Sequence, residues 1–278
     1  MENENNMRKS PIALNSNSKP LLICVSSEST PQAIISMIRN AIYDGADGFL
    51  IDLEKLESKY RNEQDMKCIF DACQDKPVIT MAYRTSMGKE TSDREIADLL
   101  IKSIDAGASM CDVMGDLFNP SALELSKDNQ SIQMQKELIR VIHEKNGKVM
   151  MSSHTWTFLD QKQTVSHAQE LLKRDPDMIK IAVAAKDEAE EWETFQATHA
   201  LNTEIAKPYL HVCMGQYGKL HRVIAPIFGS CMILCVQQYT ETSHKDQPLL
   251  SSTRKVIDGM DWGMNRNTAF GTYHLKHE

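Results

Sequence analysis

Eight times along the chain, a short apolar run fit for a strand is followed by a longer stretch with helical spacing. The runs are PLLICVSS (20–27), GFLIDLEKL (48–56), PVITMAY (77–83), SMCDVMGDLF (109–118), KVMMSSHTW (148–156), DMIKIAVAA (177–185), PYLHVCMG (208–215) and SCMILCVQQ (230–238). Between them lie helix patterns. TPQAIISMIRNAIYDGA (30–46) opens on Thr-Pro and closes near Gly45, and DREIADLLIKSIDAGA (93–108) sets Ile96, Leu99, Leu100 and Ile104 on one face. QSIQMQKELIRVIHEKNG (130–147) ends at Asn-Gly, further helices cover 164–174, 186–204 and 217–228, and a last one begins at Ser251-Ser252-Thr253. The strands are apolar on both faces, as in a parallel sheet covered by helices. Eight strand-then-helix units predict a (β/α)8 TIM barrel in a single domain. An open doubly wound sheet is the runner-up. The even count and the absence of a glycine-rich dinucleotide fingerprint favour the barrel.

The 278 residues suit a barrel of about 250 residues plus a lead-in. Residues 1–19 are polar and are expected to be a flexible segment, with a short pairing around Ile12; residues 20–278 form the catalytic barrel. At 41% hydrophobic and 25% charged the composition is that of an ordinary globular protein. A net charge of −7 without a basic cluster excludes nucleic acid as a partner. MENENNMRKS has no apolar signal core, and no run nears the roughly 18 apolar residues of a membrane span, so a cytoplasmic protein with no membrane partner is expected. The seven cysteines include no CxxC pair and read as reduced thiols. The acidic run KDEAEEWE (186–193) reads as a solvated helix face, and the 16 methionines read as core filler.

Catalytic groups of such barrels stand at the C-terminal ends of the strands. Those positions hold Asp52 and Glu54, Arg84, Asp112, His154, Lys180 and His211, with Arg222 on the helix after strand seven. Strand alternation turns Ile179, Ile181 and Val183 to the helices and Lys180 and Ala182 to the barrel axis. A desolvated lysine tends to lose its proton, and a neutral amine forms Schiff bases with carbonyls. The plainer alternatives are that Lys180 snorkels to the rim or pairs with Asp52, Glu54 or Asp112. His154, one strand earlier, would share the mouth with Lys180 and supply a base for the carbon acid that an iminium creates. Arg84 and Arg222 suit an anionic substrate, since guanidinium matches a carboxylate. Asp52, Glu54 and Asp112 have no histidine partner nearby, so no metal is expected.

These residues resemble the type I 3-dehydroquinate dehydratase (3-dehydroquinase) family over most of residues 20–260. VMMSSHTW is similar to the family strand ending in Ser-x-His, and DMIKIAV to its Lys-Ile-Ala strand. MGQYGKLHRVIAPIFGS resembles the segment from Met through a glycine turn to Arg and Phe-Gly-Ser, and ITMAYRT the ending of strand three. SHKDQ is similar to a loop with Ser and Gln four apart. The resemblance implies a homodimeric barrel without cofactor or metal, acting on a small carboxylated cyclic ketone. It makes Lys180 the Schiff-base lysine, His154 the general acid–base, Arg222 and Arg84 substrate-binding arginines, and Ser243 and Gln247 lid contacts. The implied reaction is dehydration of 3-dehydroquinate to 3-dehydroshikimate.

The chain also departs from the family. Its Glu-x-Arg-x-Asp on strand two reads Asp52-Leu53-Glu54-Lys55-Leu56 here, so Asp52 is a shorter first acid and Glu54 reverses a charge that contacts substrate. The glutamate that partners the histidine falls on Gly88, with Glu90 nearby as a substitute. The Asp-x-Glu pair of strand four reads Asp112-Val113-Met114, and the Ser-Arg pair reads His221-Arg222. Two alternatives follow from these changes: a related Schiff-base enzyme for a different carboxylated ketone, or a non-catalytic ligand-binding barrel.

Overall fold

The computed structural model describes residues 12, 14, 19–84, 91–241 and 243–259. Eight parallel strands form one sheet in the order β7-β6-β5-β4-β3-β2-β1-β8. They are β1 Leu21–Ser26, β2 Gly48–Asp52, β3 Val78–Met81, β4 Met110–Met114, β5 Lys148–His154, β6 Met178–Ala184, β7 Tyr209–Met214 and β8 Met232–Cys235. The curl brings β8 back to β7, where the Cys231 amide donates to the Tyr209 carbonyl at 2.9 Å and the His211 amide to Ser230 Oγ at 3.3 Å. This is the (β/α)8 barrel expected from the eightfold alternation.

The helices among the described residues are α1 Pro31–Tyr43, α2 Glu63–Asp71, α3 Asp93–Asp105, α4 Asn129–Glu144, α5 Gln161–Leu172, α6 Glu188–Glu204, α7 Gly218–Ile224 and α8 Leu250–Gly259. Their starts are written in the sequence. Thr30 caps α1 with Pro31 in its first turn, while Ser92 with Glu95 and Asp160 with Gln163 form capping boxes on α3 and α5. α1 and α3 bury apolar stripes on the sheet: Ile34, Ile38 and Ala41 on α1, and Ile96, Leu99, Leu100 and Ile104 on α3. Ile12 belongs to the same core and Leu14 packs against it, so these two positions of the polar lead-in are anchored.

Parallel register sets the mouth. Lys180 on β6 stands beside Ser152 on β5 and Leu210 on β7, and His154 stands beside Ala182. Because side chains alternate, positions 52, 81, 112, 152, 180 and 212 point to the axis and their neighbours to the helices. His211 is of the opposite parity. Its Nδ1 meets Thr198 Oγ1 of α6 at 2.8 Å, so this histidine faces the helix layer and not the mouth.

Candidate active site

A cavity of about 430 Å³ opens at the C-terminal ends of the strands. Lys180, His154, Arg84, Arg222, Asp52, Glu54 and Gln247 all line it, with Tyr83 between the lysine and the histidine. Met81, Met114, Met214, Val212 and Leu234 supply apolar wall.

Lys180 is 4% exposed. Its amine does not sit among aliphatic groups alone: Nζ donates to Asp112 Oδ2 at 3.1 Å and to the Tyr83 hydroxyl at 3.2 Å. Of the alternatives open for this lysine, pairing with Asp112 is realised. The Tyr83 hydroxyl in turn donates to Asp112 Oδ2 at 2.7 Å and lies 2.9 Å from Ser152 Oγ. Asp112 is therefore the base of a polar triangle beneath the cavity. Its other oxygen, Oδ1, is buried without a hydrogen-bond partner among the described residues, a costly arrangement for a charged group.

His154 ends β5 with its ring half-buried. Ring Nδ1 lies 2.9 Å from Glu124 Oε2, and the same oxygen accepts the His154 backbone N–H at 2.8 Å. Glu124 reaches across from the loop between β4 and α4, where its φ of 44° is left-handed. Among the described residues Glu124 is thus the acid that holds the histidine; Gly88 and Glu90, the positions expected to matter for that role, lie outside the described residues. The Tyr83 and His154 rings meet edge to face with centres 5.0 Å apart, which leaves Nε2 as the ring atom free of the glutamate.

Asp52 is 1% exposed, and both its carboxylate oxygens lack hydrogen-bond partners among the described residues. Burial, and next the charge of Glu54, push its carboxyl up to about 8. Glu54 Oε2 accepts the Tyr83 backbone N–H at 2.5 Å, and Oε1 lies 3.8 Å from Lys55 Nζ. The charge reversal on strand two is therefore tied to the end of β3, and it turns into the cavity wall.

The two arginines differ. Arg84 Nε and Nη2 donate to Asp93 at 2.5 and 3.0 Å, Nη1 donates to Asp116 Oδ1 at 2.9 Å, and Nη2 also reaches the Asp116 carbonyl at 2.6 Å. Most of its fork is spent on protein groups. Arg222 is 7% exposed, and its Nη2 donates to Asp246 at 2.5 Å while Nε is buried without a partner among the described residues. It reaches the mouth because α7 lies directly on β7. A Cβ at Gly218 would collide with the Cys213 carbonyl, so that position requires glycine.

The Ser243–Gln247 loop splits. Gln247 lines the main cavity and its Oε1 has no partner among the described residues, whereas Ser243 Oγ binds the Thr240 backbone and lines an adjoining cavity of about 280 Å³. Sequence reasoning did not single out Tyr83, Glu124 or Ser152. For Tyr83 and Ser152 a signal existed, namely axis-facing parity with Met81 and with His154 respectively. Glu124 sits in a loop without periodicity and left none.

A (β/α)8 barrel with a buried lysine, a carboxylate-held histidine and a buried arginine at one mouth defines an enzyme site. The family profile of Type I 3-dehydroquinase matches residues 23–257. The chain belongs to that family and is a carbon–oxygen lyase with it. A curated 3-dehydroquinate dehydratase of Clostridium novyi (strain NT) is 24% identical over 181 residues, covering 64% of this chain and 68% of that protein. One from Listeria monocytogenes serotype 4b is 25% identical over 220 residues, covering 75% and 82%. Among solved structures, 3-dehydroquinate dehydratase from Geobacillus kaustophilus HTA426 matches with a TM-score of 0.73 at 15% identity, covering 91% of this chain and 97% of that one. The type I enzyme of Clostridium difficile with covalently modified comenic acid matches at 0.74 and 17%, covering 90% and 97%. At such identities the structural likeness speaks for the fold. No helix among the described residues is long and apolar enough to cross a membrane.

Proposed function

We propose that the protein dehydrates 3-dehydroquinate to 3-dehydroshikimate through a Schiff base on Lys180. The observation that carries this reading is the buried Lys180 amine in one cavity with His154 and Arg222. Lys180 condenses with the C3 ketone. The resulting iminium withdraws electrons from C2, His154 takes the C2 proton, and the C1 hydroxyl leaves as water with that proton's help. Hydrolysis of the product imine restores the amine. Arg222 receives the substrate carboxylate, exchanging it against Asp246, and Gln247 offers its side-chain amide from the same rim. Arg84 acts at the wall more than on the ligand, because its donors are committed to Asp93 and Asp116. The residues lining the cavity come from one chain; a homodimer is part of the proposal through the family resemblance.

The test is direct. With 3-dehydroquinate the protein should generate the ultraviolet absorbance of a conjugated enone, and Lys180→Met should not. Equal turnover by the variant, or none by the parent, ends the proposal.

Asp52 and Glu54 favour a second reading, in which the same lysine chemistry serves a carboxylated ketone with a different hydroxyl pattern. The Glu54 carboxylate in the cavity wall accepts hydrogen bonds and so selects donors, where the family's arginine would select acceptors. Assay of a panel of cyclic keto acids separates the two: a better substrate than 3-dehydroquinate by kcat/KM supports the second.

A further inference from the structure

Among the described residues, Tyr83 is the one hydrogen-bond partner of the Lys180 amine that also lines the cavity. Its hydroxyl has a full set of partners: it donates to Asp112 Oδ2 at 2.7 Å and can accept from Lys180 Nζ at 3.2 Å and from Ser152 Oγ at 2.9 Å. Asp112 itself is 1% exposed and is not among the residues that line the cavity, whereas Tyr83 is. His154, whose ring packs edge to face with that of Tyr83, is held by Glu124. We infer that Tyr83 is a catalytic residue, a proton relay for making and hydrolysing the imine at Lys180 that works alongside His154. This rests on the Schiff-base reading above.

The balance needs no outside acid. An ammonium enters with three protons on nitrogen. One passes along Tyr83 to Asp112, or directly to it, and frees the lone pair that forms the C–N bond with the ketone carbon. The carbonyl oxygen, now an alkoxide, takes a proton from the Tyr83 hydroxyl, which is refilled from Asp112. The nitrogen of the carbinolamine then gives up a second proton to Tyr83, the same oxygen receives it, and the C–O bond breaks to release water. Two of the three ammonium protons leave in that water and the third stays on the iminium nitrogen. Hydrolysis runs the steps backwards. Burial, then the charges of Asp112 and Glu124, raise the phenol's pKa, so the hydroxyl works as a relay that gains one proton as it yields another and never rests as phenolate.

Tyr83→Phe removes a single oxygen and keeps the ring against His154. Rapid-quench borohydride trapping with 3-dehydroquinate measures imine formation, and C2-deuterated substrate reports whether C–H cleavage limits kcat. The relay predicts imine formation slower by about 10²–10⁴-fold in Tyr83→Phe, the range for a lost acid–base group. It also predicts that any C2 isotope effect of the parent collapses toward unity in this variant. His154→Ala should form no product, because the C2 proton then has no base. A purely structural tyrosine would lower the melting temperature and leave the isotope effect alone. Trapping in Tyr83→Phe as fast as in the parent overturns the relay while the lysine mechanism stands. If the parent itself yields no adduct, both fall. Should Tyr83→Phe melt below the assay temperature, Ser152→Ala, which strips one partner from the phenol, must slow trapping more than it slows C–H cleavage, or the relay is wrong.

Discussion

One oxygen of Glu124 holds His154 twice, accepting its backbone N–H at 2.8 Å and facing ring Nδ1 at 2.9 Å. The carboxylate therefore fixes both the end of β5 and the plane of the imidazole, and it leaves Nε2 as the working nitrogen. Its negative charge faces the ring at the moment the ring takes up a proton. Glu124→Ala is expected to lower kcat by about 10- to 100-fold, part of the contribution of a positioned base, with KM changed little. It also leaves a buried N–H unpaired, at a cost of about 1–3 kcal/mol. Steady-state kinetics and thermal melts read the two effects separately; a rise in KM equal to the fall in kcat would place Glu124 on the substrate instead.

Arg222 is expected to act on binding. Arg222→Lys keeps the charge and loses the planar fork. Losing one charge-assisted hydrogen bond is worth about 1.5–3 kcal/mol, so KM should rise by roughly 10- to 100-fold. Asp246→Asn, which releases the guanidinium from its partner across 2.5 Å, should lower KM or leave it unchanged. A KM raised by Asp246→Asn would mean that Asp246 positions Arg222 and does not compete for it.

Arg84 invites the opposite expectation. With donors on Asp93 and Asp116 it ties the end of β3 to the start of α3 and to the loop after β4. Arg84→Met should lower the melting temperature clearly, since it strands two partly buried carboxylates, and should change KM less than Arg222→Lys does. Differential scanning calorimetry beside kinetics decides this, and a KM effect without loss of stability would return Arg84 to the ligand.

Much of this was legible in advance, and the reasons are local. Strand parity alone turned Lys180 and Ala182 inward, because a two-residue period admits no other answer once Ile179, Ile181 and Val183 face the helices. His154 followed from register with the neighbouring strand. The same parity sends His211 the other way, to Thr198 in the helix layer. Glu124 was not legible at all, since a loop residue that crosses to another strand leaves no periodic trace. Nor was the commitment of Arg84, whose partners Asp93 and Asp116 come from a helix start and a loop.

Asp52 carries a pH signature. Its carboxyl is raised from an ordinary 3.8 to about 8, chiefly by burial. The folded protein keeps that proton while the unfolded chain has released it above about pH 4, so this group's stabilising contribution is full below that point and is lost as pH rises through about 8. Asp52→Asn has no proton to lose. Thermal melts between pH 5 and pH 8 should therefore show a smaller fall in the variant than in the parent; parallel curves would mean that Asp52 is ionised in the fold.

Everything turns on the lysine. The most direct measurement is reduction with borohydride in the presence of 3-dehydroquinate, followed by peptide mapping of the parent and of Lys180→Ala. A covalent adduct on Lys180 that is absent from the variant is the predicted result. No adduct on Lys180 from a protein that nevertheless forms the enone would contradict the Schiff-base account outright.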